Sequence, residues 1–251
     1  MNKMTESYPE RAKHEIEHGK MLAMGDTEAI WGWGTPAGQQ RSKRRGALLS
    51  KAAGLGPGVR TLEVGCGTGM FTEMFTETGA EIVAMDISPA LIEKAKTRKL
   101  PPEQVQFLCQ SFEDVELQGS FDAVIGSSVL HHLEISPALA AIYSLLKPGG
   151  IMAFAEPNML NPQVFAERTF MRRFLYYVSP DEIAFMRCSF KRQLEQAGFD
   201  DIEITPFDWL HPAIPETFID LMSAVGRLLE KIPIVRELSG SLIISCRRPV
   251  Q

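Results

Sequence analysis

Between Thr61 and Ala155 the chain alternates short apolar, β-prone runs with helical stretches, and few folds accept that alternation. The runs Thr61–Val64, Glu81–Met85, Val105–Cys109, Phe121–Gly126 and Ile151–Ala155 are each four to six residues long. A helical pattern opens at Met70, a second covers Pro89–Thr97 and a third covers Pro137–Leu146, while a short polar turn follows Cys109. Strands joined in this way are βαβ units, which build a parallel sheet covered by helices on both faces. The expected class is α/β, with a doubly wound sheet.

The ends of the chain break the rhythm. Asp201–Thr205 and Ser241–Cys246 read as the last two strands, yet Pro206, Pro212, Pro215 and Pro233 punctuate the segment between them. That segment holds a helix of about Glu216 to Lys231, with Phe218, Leu221, Met222, Val225, Leu228 and Leu229 at helical spacing. Such a face must be buried. A lid over the domain, a dimer contact and a membrane-surface contact are the three readings. At the other end, helices are expected over about Pro9–Met24 and Ala37–Ala53, separated by the string Trp31-Gly-Trp33-Gly and closed by Gly54.

With 251 residues and 45% hydrophobic composition, the chain can bury a single full core. A formal charge of −5 argues against nucleic-acid binding, and the small basic cluster Arg41, Lys43, Arg44 and Arg45 reads as a solvated helix face. Cys66, Cys109, Cys188 and Cys246 lie far apart and form no zinc-type pairs, so they read as reduced packing residues, and no metal is expected. The polar N-terminus has no signal-peptide core, and no apolar run approaches the length of a membrane span. The expected location is cytoplasmic, as a monomer or homodimer, with peripheral membrane contact left open.

The run Leu62-Glu63-Val64-Gly65-Cys66-Gly67-Thr68-Gly69-Met70-Phe71 passes from a strand through a glycine loop into a helix. Alternate glycines remove Cβ where the loop bends and where a ligand must lie on bare backbone. A dinucleotide loop would read G-x-G-x-x-G, with pyrophosphate on the helix N-terminus. Here the spacing is G-x-G-x-G, and Glu63 stands two residues ahead, which opposes a pyrophosphate and suits a ligand carrying ammonium and sulfonium charges. Asp86 ends the second strand, about twenty residues past the first glycine, where a carboxylate can accept from ribose hydroxyls.

Taken with Asp86, Phe121-Asp122-Ala123-Val124 through Leu130-His131-His132-Leu133, and Leu146-Lys147-Pro148-Gly149-Gly150, the glycine run resembles the successive motifs of class I S-adenosylmethionine (SAM) dependent methyltransferases over about residues 55–157. The resemblance implies a Rossmann-like, mostly parallel seven-stranded sheet with an antiparallel last strand, flanked by helices and carrying a helical cap. It implies SAM as cofactor and S-adenosylhomocysteine (SAH) as product. Glu63, Gly65, Cys66, Gly67 and Gly69 would surround the methionine part, Asp86 and Ile87 the ribose, and Ser127 the amino group. Ser111 and Phe112 would meet the adenine; a register slip would bring Glu113 or Asp114 there instead.

Residues 1–54 are then a helical segment covering the active site, and residues 55–251 the SAM-binding domain, with cap insertions at about 157–180 and 206–239. In-line transfer from a sulfonium needs alignment and a dry cavity; a base is needed only for an acceptor that must lose a proton. His131, His132 and Glu156, at the carboxyl edge of the sheet, are the catalytic candidates. Trp31, Trp33, Asn158, Tyr176, Tyr177, Trp209 and His211 are the candidates for contact with a small-molecule acceptor, methylated on O, N or C and partly hydrophobic in character. A non-catalytic SAM-binding partner protein and a NAD-dependent oxidoreductase are the competing readings.

Overall fold

A computed structural model describes residues 10–115, 121–169 and 186–250. The N-terminal part forms α1 (Glu10–Ala23), the short α2 (Thr27–Ile30) and α3 (Pro36–Ala53). The alternating part follows as β1 (Arg60–Val64), α4 (Met70–Thr76), β2 (Glu81–Asp86), α5 (Pro89–Lys96), β3 (Val105–Cys109), β4 (Phe121–Ser127), α6 (Ile135–Leu145) and β5 (Leu146–Pro157). It is completed by α7 (Pro162–Thr169), α8 (Arg187–Gln196), β6 (Asp200–Phe207), α9 (Ile219–Leu229), α10 (Pro233–Arg236) and β7 (Ser241–Arg247).

The seven strands form one sheet in the order β3-β2-β1-β4-β5-β7-β6. Every pairing is parallel except the two made by β7, with β5 and with β6. Side chains alternate across the pleat as strand geometry requires. Leu62, Val124 and Phe154 enter one core layer with Leu139, Ile142, Phe190 and Leu194. Ala123, Ile125 and Ala153 enter the other with Leu49, Phe71, Phe75 and Ile92. The strand order reverses between β1 and β4, and the crevice at such a switch point is where open α/β sheets bind ligands.

Local chemistry sets the helix ends. Thr35 caps α3, its Oγ1 accepting from the Gly38 amide at 3.0 Å, and Gly54 closes the helix in the left-handed region at φ +64°. Ser88 caps α5 ahead of Pro89.

Two sequence expectations need correction. The basic run of α3 is not a solvated face: only Lys43 is exposed, while Arg41 bonds Asp208 at 2.7 Å, Arg44 bonds Glu230 at 2.8 Å and Arg45 is buried. The partners lie more than 160 residues away along the chain, out of sight of local charge patterning. Of the four cysteines, all of them free thiols, Cys66 and Cys246 are packing residues, whereas Cys109 and Cys188 are exposed.

Phe154 is fully buried, with its ring against Gly126, where an added Cβ would come within 2.5 Å of it. Truncation to alanine empties a site hemmed in by backbone that cannot collapse. Phe154→Ala should cost about 3–5 kcal/mol in urea denaturation; a loss below about 1 kcal/mol would mean that the two core layers repack around the gap.

Candidate active site

At the carboxyl edge of the sheet, Gly65, Gly67 and Gly69 all adopt positive φ, at +69°, +56° and +75°. At Gly65 the need is steric as well: a Cβ there would lie 2.4 Å from Val129. The loop is tied to β2 by the Cys66 amide donating to the Met85 carbonyl at 2.9 Å and the Gly67 amide donating to Asp86 Oδ2 at 2.9 Å. Asp86 Oδ1 accepts from the Ser88 amide at 2.8 Å. Burial pushes the Asp86 carboxyl above its ordinary range, against the pull of those two amides.

A cavity of about 740 Å³ opens above this edge. Gly65, Cys66, Gly67, Asp86 and Ile87 form one wall, Ser111, Phe112 and Glu113 a second, and Ser127, His131 and His132 a third. Trp31, Trp33, Trp209 and His211 bound it from the N-terminal segment and the cap. α1 contributes Arg11, Glu15 and Gly19; the helix lies so close to the start of α5 that a Cβ on Gly19 would be 2.4 Å from Ser88 Oγ.

Two polar clusters sit immediately behind the wall. Arg45 is buried and donates to Ser127 Oγ at 3.3 Å, Ser128 Oγ at 2.9 Å and Ser241 Oγ at 2.6 Å, with its guanidinium over the rings of Trp33 and Phe207. Among the described residues no carboxylate hydrogen-bonds it, and its Nε has no hydrogen-bond partner. Burial lowers its pKa to about 10, so the charge persists at neutral pH. The second cluster is centred on Glu156, fully buried, whose Oε1 accepts from the Val129 and Leu130 amides at 3.0 and 2.9 Å. Its Oε2 lies 2.6 Å from His131 Nδ1. Burial lifts the Glu156 carboxyl to about 7, against the pull of both amides.

Comparison with known proteins meets this geometry. A sequence profile described as "Methyltransferase domain" matches residues 62–154. A ubiquinone biosynthesis O-methyltransferase of Xanthomonas campestris pv. campestris (strain B100) is 40% identical over 114 residues, 44% of this chain and 47% of that protein. Residues 62–154 therefore carry the likeness to a methyltransferase domain, and the curated relatives match about the same share of the chain. Its match spans about half the length of the curated relatives. Among solved structures, Haemonchus contortus phosphoethanolamine N-methyltransferase 2, complexed with SAH, aligns at TM-score 0.68 with 17% identity, over 96% of this chain and 61% of that one. The [4+2]-cyclase SpnF aligns at TM-score 0.65 with 20% identity, over 94% and 97%. At such identities the likeness speaks for the fold alone.

Around this cavity, several expected site residues stand elsewhere. Glu63 faces away from the cavity and accepts from Thr72 Oγ1 at 2.6 Å. Gly69 begins α4 and packs against Ala95 rather than lining the cavity. Glu156 is not part of the cavity lining and stands behind His131, which is. Asn158 is buried in a structural role, its amide donating to the Glu237 and Ser239 carbonyls, each at 2.8 Å. Tyr176, Tyr177 and the 170–180 part of the first cap insertion lie outside the described residues. Conversely, Arg11, Glu15, Gln163 and Asp208 line the cavity without any motif to mark them, and Glu15 Oε2 reaches His132 Nδ1 at 3.2 Å. For Arg45 a signal was present: four residues after Arg41, it shares that residue's helix face.

Burial also raises the Glu63 carboxyl to about 8, against the Thr72 bond, from an ordinary value of 4.5. The folded protein therefore keeps a proton that the unfolded chain releases. The stability it contributes is complete below about pH 4.5 and lost as pH rises through about 8. Glu63→Gln keeps an acceptor for Thr72 and has no proton to lose, so its melting temperature should fall less than the wild type's between about pH 5 and about pH 9. Parallel curves would mean that Glu63 does not retain its proton in the folded chain.

Proposed function

We propose that the protein binds SAM in this cavity and transfers its methyl group to a small, partly apolar acceptor. The observation that carries the reading is the convergence on one crevice of three features: a left-handed glycine loop, an oriented Asp86 carboxylate and a buried Arg45 guanidinium held by serine hydroxyls. These residues fit the cofactor. The bare loop at Gly65 and Gly67 accepts close approach of the methionine part, Asp86 has lone pairs left for ribose hydroxyls, and Arg45 behind Ser127 supplies a counter-charge for the amino-acid carboxylate. Ser111, Phe112 and Glu113 bound the adenine end. When bound, SAM supplies the electrophilic methyl and its own leaving group.

The aromatic wall of Trp31, Trp33 and Trp209, with Leu210 and Val164, excludes water from the acceptor side and supports a hydrophobic acceptor. His131 is the base we assign for an acceptor that must lose a proton. A single proton lies between Glu156 Oε2 and His131 Nδ1. With Glu156 ionised, His131 carries it at Nδ1 and Nε2 is a lone pair; with Glu156 protonated, Nδ1 accepts and Nε2 carries hydrogen. Activity is thus expected to rise as pH passes about 7. Free thiols and the absence, among the described residues, of a helix able to cross a membrane are compatible with a cytoplasmic setting.

Calorimetry with SAH, and NADH in parallel, tests the cofactor. SAH alone should bind, and Asp86→Ala should weaken it by about 1.5–3 kcal/mol; NADH binding alone would overturn the reading. Transfer of labelled methyl across an acceptor panel separates an enzyme from a non-catalytic SAM-binding protein, which would bind SAH and transfer nothing. In Glu156→Gln the amide nitrogen donates to Nδ1 and fixes hydrogen on Nε2. Turnover of a hydroxyl acceptor should drop about 10²–10⁴-fold and lose its rise near pH 7, with SAH affinity unchanged. A retained pH step would remove Glu156 from that role.

A further inference from the structure

The inner side of α9 is well used. Ile219 and Gly226 are buried, Trp209 packs on Gly226, Met222 joins Ala37 and Leu210, and Ser223 accepts from Gln40 at 2.9 Å. The outer side carries Leu221 and Leu228, each 60% exposed, with Phe218 at 54% and Val225 at 38%. Nothing among the described residues covers this stripe. It continues past the helix through Ile232 and Ile234, the latter 84% exposed.

The arrangement of charge says what would cover it. At 100° per residue, the exposed half of the helix has an apolar edge, Leu221, Val225 and Leu228, and a charged edge, Asp220, Arg227 and Lys231, with Glu216 in the turn just before. Acids occupy the first part of that edge and bases the last. Residues 220 and 227, and residues 216 and 231, are equally distant from a point between Ser223 and Ala224. The apolar pairs Phe218 with Leu228 and Leu221 with Val225 centre on Ser223, half a residue away. A two-fold axis crossing the helix there keeps each edge against its own kind and reverses direction, so Asp220 meets the partner's Arg227, Glu216 meets the partner's Lys231, and the apolar edges meet each other. Ala224 lies near the crossing and permits close approach.

The geometry points to α9 as the contact of a homodimer in which two copies of this helix pack antiparallel. A parallel pairing about a two-fold would set the charged edge of each copy against the apolar edge of the other. An anionic bilayer would meet Glu216 and Asp220 as well as Arg227 and Lys231, so this surface offers it no net positive charge. The contact stands apart from the methyl-transfer reading, because none of the exposed residues of α9 lines the cavity.

Sedimentation velocity of the full chain at micromolar concentration should give twice the chain mass. Leu221→Glu, which drives a charge into the apolar edge on both copies, should leave a monomer. Asp220→Lys alone and Arg227→Asp alone should each weaken dimerisation about tenfold or more, as attraction becomes repulsion at two symmetric contacts. The double variant Asp220→Lys, Arg227→Asp restores opposite signs across the axis and should regain the dimer. Circular dichroism and SAH binding, expected unchanged, keep the variants comparable as folded proteins. A monomeric wild type, a dimer indifferent to Leu221→Glu, failure of the double exchange to rescue, or a monomer that floats with phosphatidylglycerol vesicles would each overturn the proposal.

Discussion

Parallel pairing of β1 with β2 on one side and β4 on the other determines where the chemistry can emerge. All three strands leave the sheet at the same edge, so Gly65, Asp86 and Ser127 arrive together although 62 residues separate the first from the last. The Gly67 amide then locks the loop to the Asp86 carboxylate. That bond does two things. It holds three left-handed glycines in place, and it orients the carboxylate before any ligand arrives, so little reorganisation remains for binding.

The N-terminal helices complete what the sheet begins. Arg98 of the α5 exit pairs with Glu28 and Glu73 and donates to the Thr68 carbonyl at 2.7 Å, while Lys94 donates to the Gly25 carbonyl at 2.7 Å. These bonds fasten α1 and α2 against the glycine loop. On the opposite flank, α3 is fastened to the cap through Arg41 with Asp208 and Arg44 with Glu230. Burying Arg45 between these seams is costly unless its donors are satisfied. Three serine hydroxyls and two aromatic faces do most of that without neutralising the charge.

What could be read in the sequence follows from distance along the chain. The glycine loop, Asp86 and the alternation of strands and helices are local patterns, and each occupies the place its pattern implies. Asp208 was opaque, because its partner stands 167 residues away, and for Arg45 only the helix face shared with Arg41 was legible, since its serine partners stand 82 to 196 residues away. Glu63 illustrates a different limit. The pleat sends Leu62 and Val64 to one face and Glu63 to the other, towards Thr72, so nearness to a motif in sequence did not mean nearness to the cavity. Glu156 and Asn158 sit at the functional edge as their position suggests, but backbone groups of neighbouring turns claim them first.

Because β7 alone runs backwards, the chain between β6 and β7 leaves and re-enters the sheet at the same edge, the one that bears the cavity. Every other crossover must carry the chain the full length of a strand before it can pair again. This connection is relieved of that duty, and its 208–240 stretch can lengthen, shorten or change its composition while both anchors stay put. Reversing a single strand thus gives the fold a roof over the cavity whose length and composition the sheet beneath does not dictate.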